Sequence, residues 1–402
     1  MSIKDQTAVV GIGATPYYKR GQSLPQTQLS MACDAIVGAL EDAGLTVADL
    51  DGFAIYSNSI DPAEVASVLG VPEVRFAATL TSGGGGAAGS LGLAAAAIHG
   101  GMAEVVVSVM TLQQVQRRLG GTQVGGGSSL GGASANPYGG GGIPAGTAFY
   151  ANSGLMSPGH SFSILTQRHM HQYGTTREHL AEVAINQRNN AITRPTSIQK
   201  KPLTKEEYFN ARMISDPLCL FDYTQENDGA VAAVMTSADR AKDLRHPPVY
   251  IMASANGGLG RWGPAIFKYF QMPDEYFASS GHRPVAKRLF EMAGITPDDV
   301  DVAELYDHFS PLVLMQLEDY GFCGIGESGP FVAEGNIRLG GKIPVNTHGG
   351  HLSEAYIIGF THIREAVEQL RGVAVNQVPD AEIALVTGGP ASLPVSGTLL
   401  RR

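Results

Sequence analysis

Cysteine is scarce in this sequence, and the three residues that occur form no recognisable pattern. Cys33, Cys219 and Cys323 lie far apart among 402 residues, without a CxxC pair. Their odd number argues against a disulfide framework, and no group of cysteines and histidines has the spacing of metal ligands. We therefore expect no metal site. Cysteine usage of this kind fits the reducing cytoplasm.

Blocks of basic charge and long apolar runs are also missing. The net charge is −9 at pH 7, so no basic surface for nucleic acid is predicted. No segment reaches the roughly 18 consecutive apolar residues that a membrane helix needs. The opening residues, MSIKDQTAVVGIG, lack the apolar core of a signal peptide. We expect a cytoplasmic protein that binds neither nucleic acid nor membrane.

Hydrophobic residues and glycine are abundant instead. Hydrophobic residues make up 44% of the chain and 51 residues are glycine, which is typical of a globular protein with a large core and many tight turns. Residues 7–13 are typical of a buried strand that ends in a glycine turn. Residues 26–44 predict an amphipathic helix, and residues 53–56 predict a second strand. This order indicates an α/β fold with a partly parallel sheet.

The most informative feature is an internal repeat. Residues 39–56, ALEDAGLTVADLDGFAIY, match residues 289–306, LFEMAGITPDDVDVAELY, at a constant offset of 250. Tyr56 thereby corresponds to Tyr306, each at the end of a predicted strand. A repeat of this length indicates duplication of a domain rather than a solenoid.

The repeat divides the chain into two similar α/β halves, predicted at residues 1–245 and 246–402. The first half carries an insertion at about residues 112–225. A Gly/Ser-rich stretch at 120–146 is too long for an ordinary connection. It is either a flexible surface insertion or a loop that covers a substrate entrance, and its role stays open.

Four segments carry a resemblance to a known family. They are HLAEVAINQ at 179–187, ENDGAVA at 226–232, ELYDHFS at 304–310 and GGHLS at 349–353. In this order, and with the tandem halves, they resemble the thiolase superfamily, in particular its lipid-transfer-protein-like (sterol carrier protein x-type) branch. The resemblance implies the thiolase fold, with two tandem α/β halves, mixed five-stranded sheets and a loop/helix insertion in the first half. It also implies a homodimer.

Both cysteines on which thiolase chemistry depends are absent. The resemblance places the nucleophile at Gly83–Gly86, before an Ala-rich helix, and the second cysteine within residues 386–390. Neither segment contains a cysteine. Covalent acyl transfer is therefore not expected. The pattern is most similar to the cysteine-free aldolases of steroid side-chain degradation, whose catalytic pair of tyrosines matches Tyr306 and Tyr356.

This resemblance implies a retro-aldol reaction. A β-hydroxyacyl-CoA with a tertiary alcohol, such as a steroid side chain, would be cleaved to a ketone and a short acyl-CoA such as propionyl-CoA. Coenzyme A would enter as part of the substrate, with no covalently bound cofactor. The resemblance further implies a zinc-ribbon/OB-fold partner protein that is associated with an acyl-CoA hydratase.

Residues near the two tyrosines complete the predicted site. A phenol has an ordinary pKa of about 10, so a tyrosine base needs donors or positive charge nearby, or must act as a proton relay through a histidine. The predicted catalytic residues are Tyr306, Tyr356, His308 and Asp307. The predicted substrate and oxyanion contacts are His348, His351, Asn346, Gly349 and Gly350. His362 is interpreted as a surface or core histidine.

Several alternatives remain open at this point. Tyr306 and Tyr356 are also explained by packing, and the sequence does not say which phenol is acid and which is base. The second interpretation is a thiolase that recruits Cys323, whose neighbouring glycines permit close approach of a ligand, or that works with another unusual nucleophile. A non-catalytic acyl-CoA or lipid carrier is the third interpretation.

Overall fold

The computed structural model describes residues 2–56, 59–80, 85–114, 153–155, 157–258, 276–389 and 394–402. The Gly/Ser-rich stretch at 120–146 lies outside the described residues, as do Gly83 and Gly84. The strands are β1 (Thr7–Ala14), β2 (Tyr18–Lys19), β3 (Gly52–Tyr56), β4 (Phe76–Leu80), β5 (Val105–Leu112), β6 (Met213–Ser215), β7 (Leu218–Cys219), β8 (Asn227–Ser237), β9 (Val249–Gly257), β10 (Val302–Glu304), β11 (Ile383–Gly388) and β12 (Val395–Arg401).

Helices cover the sheet, and three of them lie in the described part of the insertion. They are α1 (Gln28–Ala43), α2 (Pro62–Leu69), α3 (Gly86–His99), α4 (Pro158–Tyr173), α5 (Arg177–Ile192), α6 (Lys205–Phe209), α7 (Ala238–Ala241), α8 (Arg283–Ala293), α9 (Ser310–Asp319), α10 (Ser328–Ala333), α11 (Gly350–Ser353) and α12 (Phe360–Leu370). No helix in the described part of the chain is long and apolar enough to cross a membrane.

One mixed sheet runs through both halves, in the order β10-β11-β12-β9-β1-β8-β5-β3-β4, with β2 beside β8. In the first half β4, β3 and β5 are parallel and β8 and β1 are antiparallel, which gives the five strands expected. In the second half β10 and β11 are parallel and β12 and β9 are antiparallel. The predicted α/β fold is confirmed.

The second half departs from five strands in one detail. Four strands are described there, and an isolated parallel bridge between Ala303 and Val345 takes the place next to β10 where a fifth would lie. The two halves are joined edge to edge because Val9 of β1 pairs with Val249 of β9. A single sheet of ten strands results rather than two separate ones.

The two copies of the sequence repeat form equivalent hydrogen bonds. Asp51 accepts bonds from the backbone N–H groups of Glu104 and Val105, at 3.0 and 2.8 Å. Its counterpart 250 residues later, Asp301, accepts from Glu382 and Ile383 at 2.8 and 2.9 Å. Each aspartate thus joins the start of one parallel strand to the next. The division at residues 245 and 246 stays a prediction.

Helix α3 lies against the sheet of the other half. It contacts β9 so closely that a Cβ on Gly89 would come within 2.8 Å of the Asn256 amide. Gly92 faces Ser254 in the same way. Because small residues bring the backbone of α3 onto β9, the beginning of this helix reaches the end of β10 in the second half, where the candidate site lies.

Candidate active site

The two tyrosines singled out by the sequence meet. The phenol oxygens of Tyr306 and Tyr356 are 3.2 Å apart, a hydrogen bond in which either oxygen can be the donor. Tyr306 is 1% exposed and Tyr356 is 7% exposed, so bulk water does not replace this contact.

The backbone of Tyr306 is fixed by side chains from two neighbouring elements. Its N–H donates to Thr387 Oγ1 of β11 at 2.7 Å, and its carbonyl accepts from Gln316 Nε2 of α9 at 2.7 Å. Thr387 in turn donates to Gln316 Oε1 at 2.6 Å. These three hydrogen bonds form a closed set, and they fix the backbone of Tyr306 just after the end of β10.

Tyr356 is held by Asn227, the first residue of β8. Asn227 Oδ1 accepts the Tyr356 N–H at 2.7 Å, and Asn227 Nδ2 donates to the Tyr356 carbonyl at 3.4 Å. Asn227 is fully buried. A residue of the first half therefore orients the catalytic candidate of the second half.

The hydrogen bonds of Asp307 hold the short helix α11. They do not orient His308. Its carboxylate accepts the backbone N–H groups of His351 and Leu352, at 2.9 and 3.2 Å, and His362 Nε2 lies 3.0 Å from it. Gly350 is required here because a Cβ would overlap Asp307 Oδ2 and because its φ is +60°.

His351 touches both phenol rings. Its imidazole meets Tyr306 and Tyr356 edge to face, with ring centroids 4.7 and 4.8 Å away. His351 Nε2 accepts the Gly359 N–H at 2.9 Å, so the neutral ring carries its proton on Nδ1. Burial, with His362 nearby, lowers the pKa of His351 well below 6.5, and the ring stays neutral.

Asn346 and Gly349 have structural contacts of their own. Asn346 Oδ1 accepts the Leu305 N–H at 2.7 Å and its Nδ2 donates to the Leu305 carbonyl at 2.9 Å. The Gly349 N–H donates to the Asn346 carbonyl at 2.8 Å, and a Cβ on Gly349 would approach Ala191 of α5 to 2.5 Å. These contacts support the backbone before Tyr306, and they leave the predicted oxyanion role of Asn346 and Gly349 without support.

A second row of buried ionisable groups lies behind His351. His362 stacks edge to face on His351 and on His348, with centroids 4.3 and 4.7 Å apart. His348 Nδ1 lies 2.8 Å from Glu304 Oε2, and both side chains are fully buried. Burial alone would lower the pKa of His348, but the Glu304 carboxylate outweighs it and raises this pKa to about 9. His348 is therefore charged at neutral pH but does not contact a phenol.

Two overlapping groups in this row have the composition of metal ligands within the described residues. They are Glu304, His348 and His362, and Asp307, His351 and His362. Their nitrogen–oxygen separations of 2.8, 3.0 and 3.2 Å are hydrogen-bond distances. Two ligands on one tetrahedral zinc ion would be about 3.3 Å apart. We interpret both groups as buried carboxylate–imidazole pairs, of which His362 with Asp307 also has the geometry of a hydrogen bond.

His308 is the one predicted catalytic residue with free ring nitrogens in the described part of the chain. It is 8% exposed, and neither Nδ1 nor Nε2 has a hydrogen-bond partner there. Its ring lies against Phe162 of α4 and Tyr306, with centroids 4.6 and 5.1 Å away. Burial lowers the pKa of His308 to about 3, so the imidazole is neutral. Buried polar groups are normally hydrogen-bonded, so this ring is a candidate for contact with a ligand.

The histidines near the two phenols do not lower the phenol pKa at this site. His308 and His351 are neutral, and the charge of His348 is paired with Glu304. Burial raises the pKa of Tyr356 to about 12, although the bond from Tyr306 opposes this, and burial with the Tyr356 phenol raises the pKa of Tyr306 well above 10. Both phenols are protonated at neutral pH.

Glycines of the two halves meet where the resemblance places thiolase cysteines. A Cβ on Gly389 would come within 2.9 Å of the Gly85 Cα. A Cβ on Gly86 would overlap the ring of Tyr56. Gly86 and Gly389 therefore have no room for a larger side chain in this arrangement.

The three cysteines are elsewhere. Cys33 lies on α1, Cys219 ends β7 and Cys323 follows α9. Burial, with Glu318 and Glu327 nearby, raises the pKa of Cys323 to about 12, and burial with Asp222 raises the pKa of Cys219 to about 11. A thiol is nucleophilic as its thiolate, so none of these residues has the properties of a thiolase nucleophile.

The structure brings Tyr306, Tyr356, Asp307, His308 and His351 into one cluster. It adds groups that sequence reasoning did not assign. They are Asn227, Glu304, Gln316, His362 and Thr387. Glu304 and Asn227 lie inside segments that carry the family resemblance, which was a usable signal. The spacing between Tyr356 and His362 matches no recognisable motif, and no sequence pattern identifies Thr387 as a site residue.

Comparison with known proteins confirms the resemblance drawn from the sequence. A family model described as "Thiolase C-terminal domain-like" matches residues 267–399. The chain is 38% identical, over 99% of its length and 100% of the relative, to a "17-hydroxy-3-oxo-4-pregnene-20-carboxyl-CoA lyase" of Mycobacterium tuberculosis. It is 38% identical to a "Steroid side-chain-cleaving aldolase" of Thermomonospora curvata, over 98% of this chain and 97% of the relative.

A solved structure gives the same result. The "Ltp2-ChsH2(DUF35) aldolase" superposes with a TM-score of 0.88 and is 36% identical, covering 100% of this chain and 99% of the other. Sequence and structure therefore agree along the whole chain. The chain belongs to the thiolase superfamily, in the family of aldolases that these relatives represent.

Proposed function

We propose that this protein cleaves the side chain of a steroid or similar β-hydroxyacyl-CoA by a retro-aldol reaction. The products are a ketone and a short acyl-CoA such as propionyl-CoA. The observation that carries the proposal is the buried hydrogen bond of 3.2 Å between Tyr306 and Tyr356 in a chain of this aldolase family.

The two phenols act as a relay rather than as a stored anion. The substrate hydroxyl gives its proton to one phenol oxygen, and that phenol passes its own proton to the second. The bond between the α- and β-carbons breaks, the ketone forms, and the electron pair moves into the thioester enolate. In the same concerted shift the second phenol gives its own proton to the α-carbon as it takes the proton of the first, so neither oxygen ever holds two protons. One proton enters the pair and one leaves it, so neither tyrosine has to be ionised at rest.

The neighbouring phenols support an assignment within the pair. Tyr306 lies next to Tyr356, Tyr56 and Asp307, each of which would disfavour a charge on its oxygen when ionised. Tyr356 receives a stabilising bond from Tyr306 in its ionised form. We assign Tyr356 to accept the hydroxyl proton and Tyr306 to protonate the α-carbon.

His308 is proposed to contact the thioester. Its neutral ring has one N–H, and no described residue accepts it. Such a donor stabilises the negative charge that develops on a thioester oxygen during cleavage. His351 orients the phenol rings and Asp307 holds His351, so these two act as positioning residues.

Coenzyme A takes part only as a portion of the substrate, and no covalent acyl-enzyme forms. We further propose that the chain works with a zinc-ribbon/OB-fold partner that is associated with an acyl-CoA hydratase, and as a homodimer. The partner proposal is supported by the related aldolase whose structure is described as Ltp2-ChsH2(DUF35). The free state of Cys33, Cys219 and Cys323 supports a cytoplasmic location.

The test uses the chain purified alone and co-expressed with its partner. Each preparation is incubated with a steroid 17-hydroxy-20-carboxyl-CoA thioester and with free coenzyme A, and products are separated by mass. We expect the ketone and propionyl-CoA with no loss of free coenzyme A. Consumption of coenzyme A would indicate thiolysis instead, and tight binding without turnover would indicate a carrier.

A further inference from the structure

Tyr56 lies in the same site, although it belongs to the other half of the chain. It ends β3, is 2% exposed and corresponds to Tyr306 in the internal repeat. The predicted site did not include it, because the sequence alone does not place the ends of β3 and β10 together.

The beginning of α3 brings the two tyrosines together. The ring of Tyr56 covers Gly86, the first residue of α3, and a Cβ there would overlap ring atoms. The next residue, Ala87, packs on Gly359, where a Cβ would lie 2.7 Å from Ala87 and 3.3 Å from Tyr306 Cδ2. Two adjacent residues of one helix thus lie under Tyr56 and beside Tyr306.

The two phenols also interact electrostatically. After burial and Tyr356, the charge that Tyr56 would carry is the next contribution that raises the pKa of Tyr306. Packing and electrostatics therefore both identify Tyr56 as a neighbour of Tyr306.

We propose that Tyr56 is a positioning residue of the active site, which helps to hold the phenol of Tyr306 in place for the step at the α-carbon. This inference rests on the proposed function. A duplicated tyrosine thereby has two uses, as the proton donor in the second half and as its support in the first.

The experiment is a double-mutant cycle in the complex with the partner. Values of kcat and KM are measured for the wild type, Tyr56→Phe, Tyr306→Phe and the double variant. Tyr56→Phe keeps the ring over Gly86 and removes only the hydroxyl. We expect kcat to fall about tenfold, because the Tyr306 phenol is less well held, with KM within about twofold. In the Tyr306→Phe background the same change should cost nothing further, because the group it supports is gone.

The controls separate this role from packing. Tyr250→Phe removes the hydroxyl of a tyrosine on β9 that stacks on Arg401, and it should leave kcat unchanged. Gly86→Ala displaces the Tyr56 ring and should lower kcat, whereas Gly38→Ala, in α1 with only ordinary contacts, should not. Equal losses from Tyr56→Phe in both backgrounds, or no loss in the wild type, would overturn the inference.

Failure of the inference is distinguishable from failure of the proposed function. A wild-type complex that does not cleave the thioester removes the proposed function and this inference with it. A wild type that cleaves, together with an unimpaired Tyr56→Phe variant, removes this inference alone.

Discussion

The hydrogen bond between Tyr306 and Tyr356 joins two segments that are held independently of each other. Tyr306 is fixed from β11 and α9, whereas Tyr356 is fixed by Asn227 of β8. The 3.2 Å separation therefore depends on how the two halves of the chain pack. Substitution of either phenol, or of a residue that supports it, should lower kcat more than it changes KM.

Removing one phenol hydroxyl should break the relay. Tyr306→Phe and Tyr356→Phe are each expected to lower kcat by about 100-fold or more, since general acid–base catalysis contributes on this scale. KM should change little because the rings remain. Steady-state assays of thioester cleavage measure this. Tyr18→Phe, at a partly exposed tyrosine on β2, is the control, and near-normal cleavage by both active-site variants would exclude the tyrosine mechanism.

Loss of the hydrogen bonds from Asn227 to the Tyr356 backbone should lower kcat. Asn227→Ala removes both hydrogen bonds to the Tyr356 backbone and leaves buried groups without partners, at a cost of about 1–3 kcal/mol in the free energy of unfolding. We expect kcat to fall about tenfold as the phenol becomes less well oriented. Asn336→Ala, which removes bonds within a partly exposed loop, should leave kcat unchanged. A variant that loses stability but not kcat would contradict the positioning role.

Stability should depend on pH through His348. Glu304 holds the pKa of folded His348 at about 9, above the 6.5 of an exposed imidazole, although burial acts in the opposite direction. The stabilisation is complete below pH 6.5 and is lost as the pH rises through 9. The wild type should exceed His348→Asn in free energy of unfolding by up to about 3 kcal/mol more at pH 6 than at pH 9.5.

Glu365 titrates in the same range and must be controlled for. Burial, partly offset by Arg194, raises the pKa of Glu365 to about 7, so this group also favours the folded state at low pH. It is common to both proteins in the comparison. His246→Asn, at a surface pair with Asp42, is the matched control. Denaturant titrations that give the same difference at both pH values would refute the His348 assignment.

The requirement for glycine at position 350 can be separated from its backbone conformation. Gly350 and Gly372 both have positive φ, +60° and +72°, but a Cβ on Gly350 would overlap Asp307 whereas one on Gly372 meets nothing. Gly372→Ala should cost about 1 kcal/mol of stability, and Gly350→Ala clearly more. Thermal unfolding measures both. Equal costs would mean that the close approach to Asp307 is unimportant.

The cysteines should be dispensable for the reaction. Cys323 is the most accessible of the three, but the raised pKa of about 12 keeps it a thiol at neutral pH. Cys323→Ser, combined with Cys33→Ala and Cys219→Ala to respect burial, should retain kcat within about threefold. Iodoacetamide should leave the wild type active. Inactivation that is prevented by substrate would instead point to a thiol nucleophile.

The sequence was sufficient to predict the structure where a local pattern corresponds to one known arrangement. The repeat predicted that Asp51 and Asp301 occupy equivalent places, and the family segments identified Tyr306 and Tyr356. The sequence did not predict that Asn346 uses both ends of its amide on Leu305, because that pairing depends on the turn between them. It also could not give the phenol pKa values, since these depend on burial and on which histidines remain neutral.

The pairing of β1 with β8 and β9 has a consequence for how the chain folds. Thr7 lies opposite Ser237, and Val9 lies opposite Val249, so β1 is synthesised well before the two strands with which it pairs. Contacts between residues far apart in sequence slow folding and leave strand edges exposed during synthesis. A chain truncated before residue 227 would keep β1 without its neighbours, and the tyrosine pair forms only after residue 356 has been synthesised.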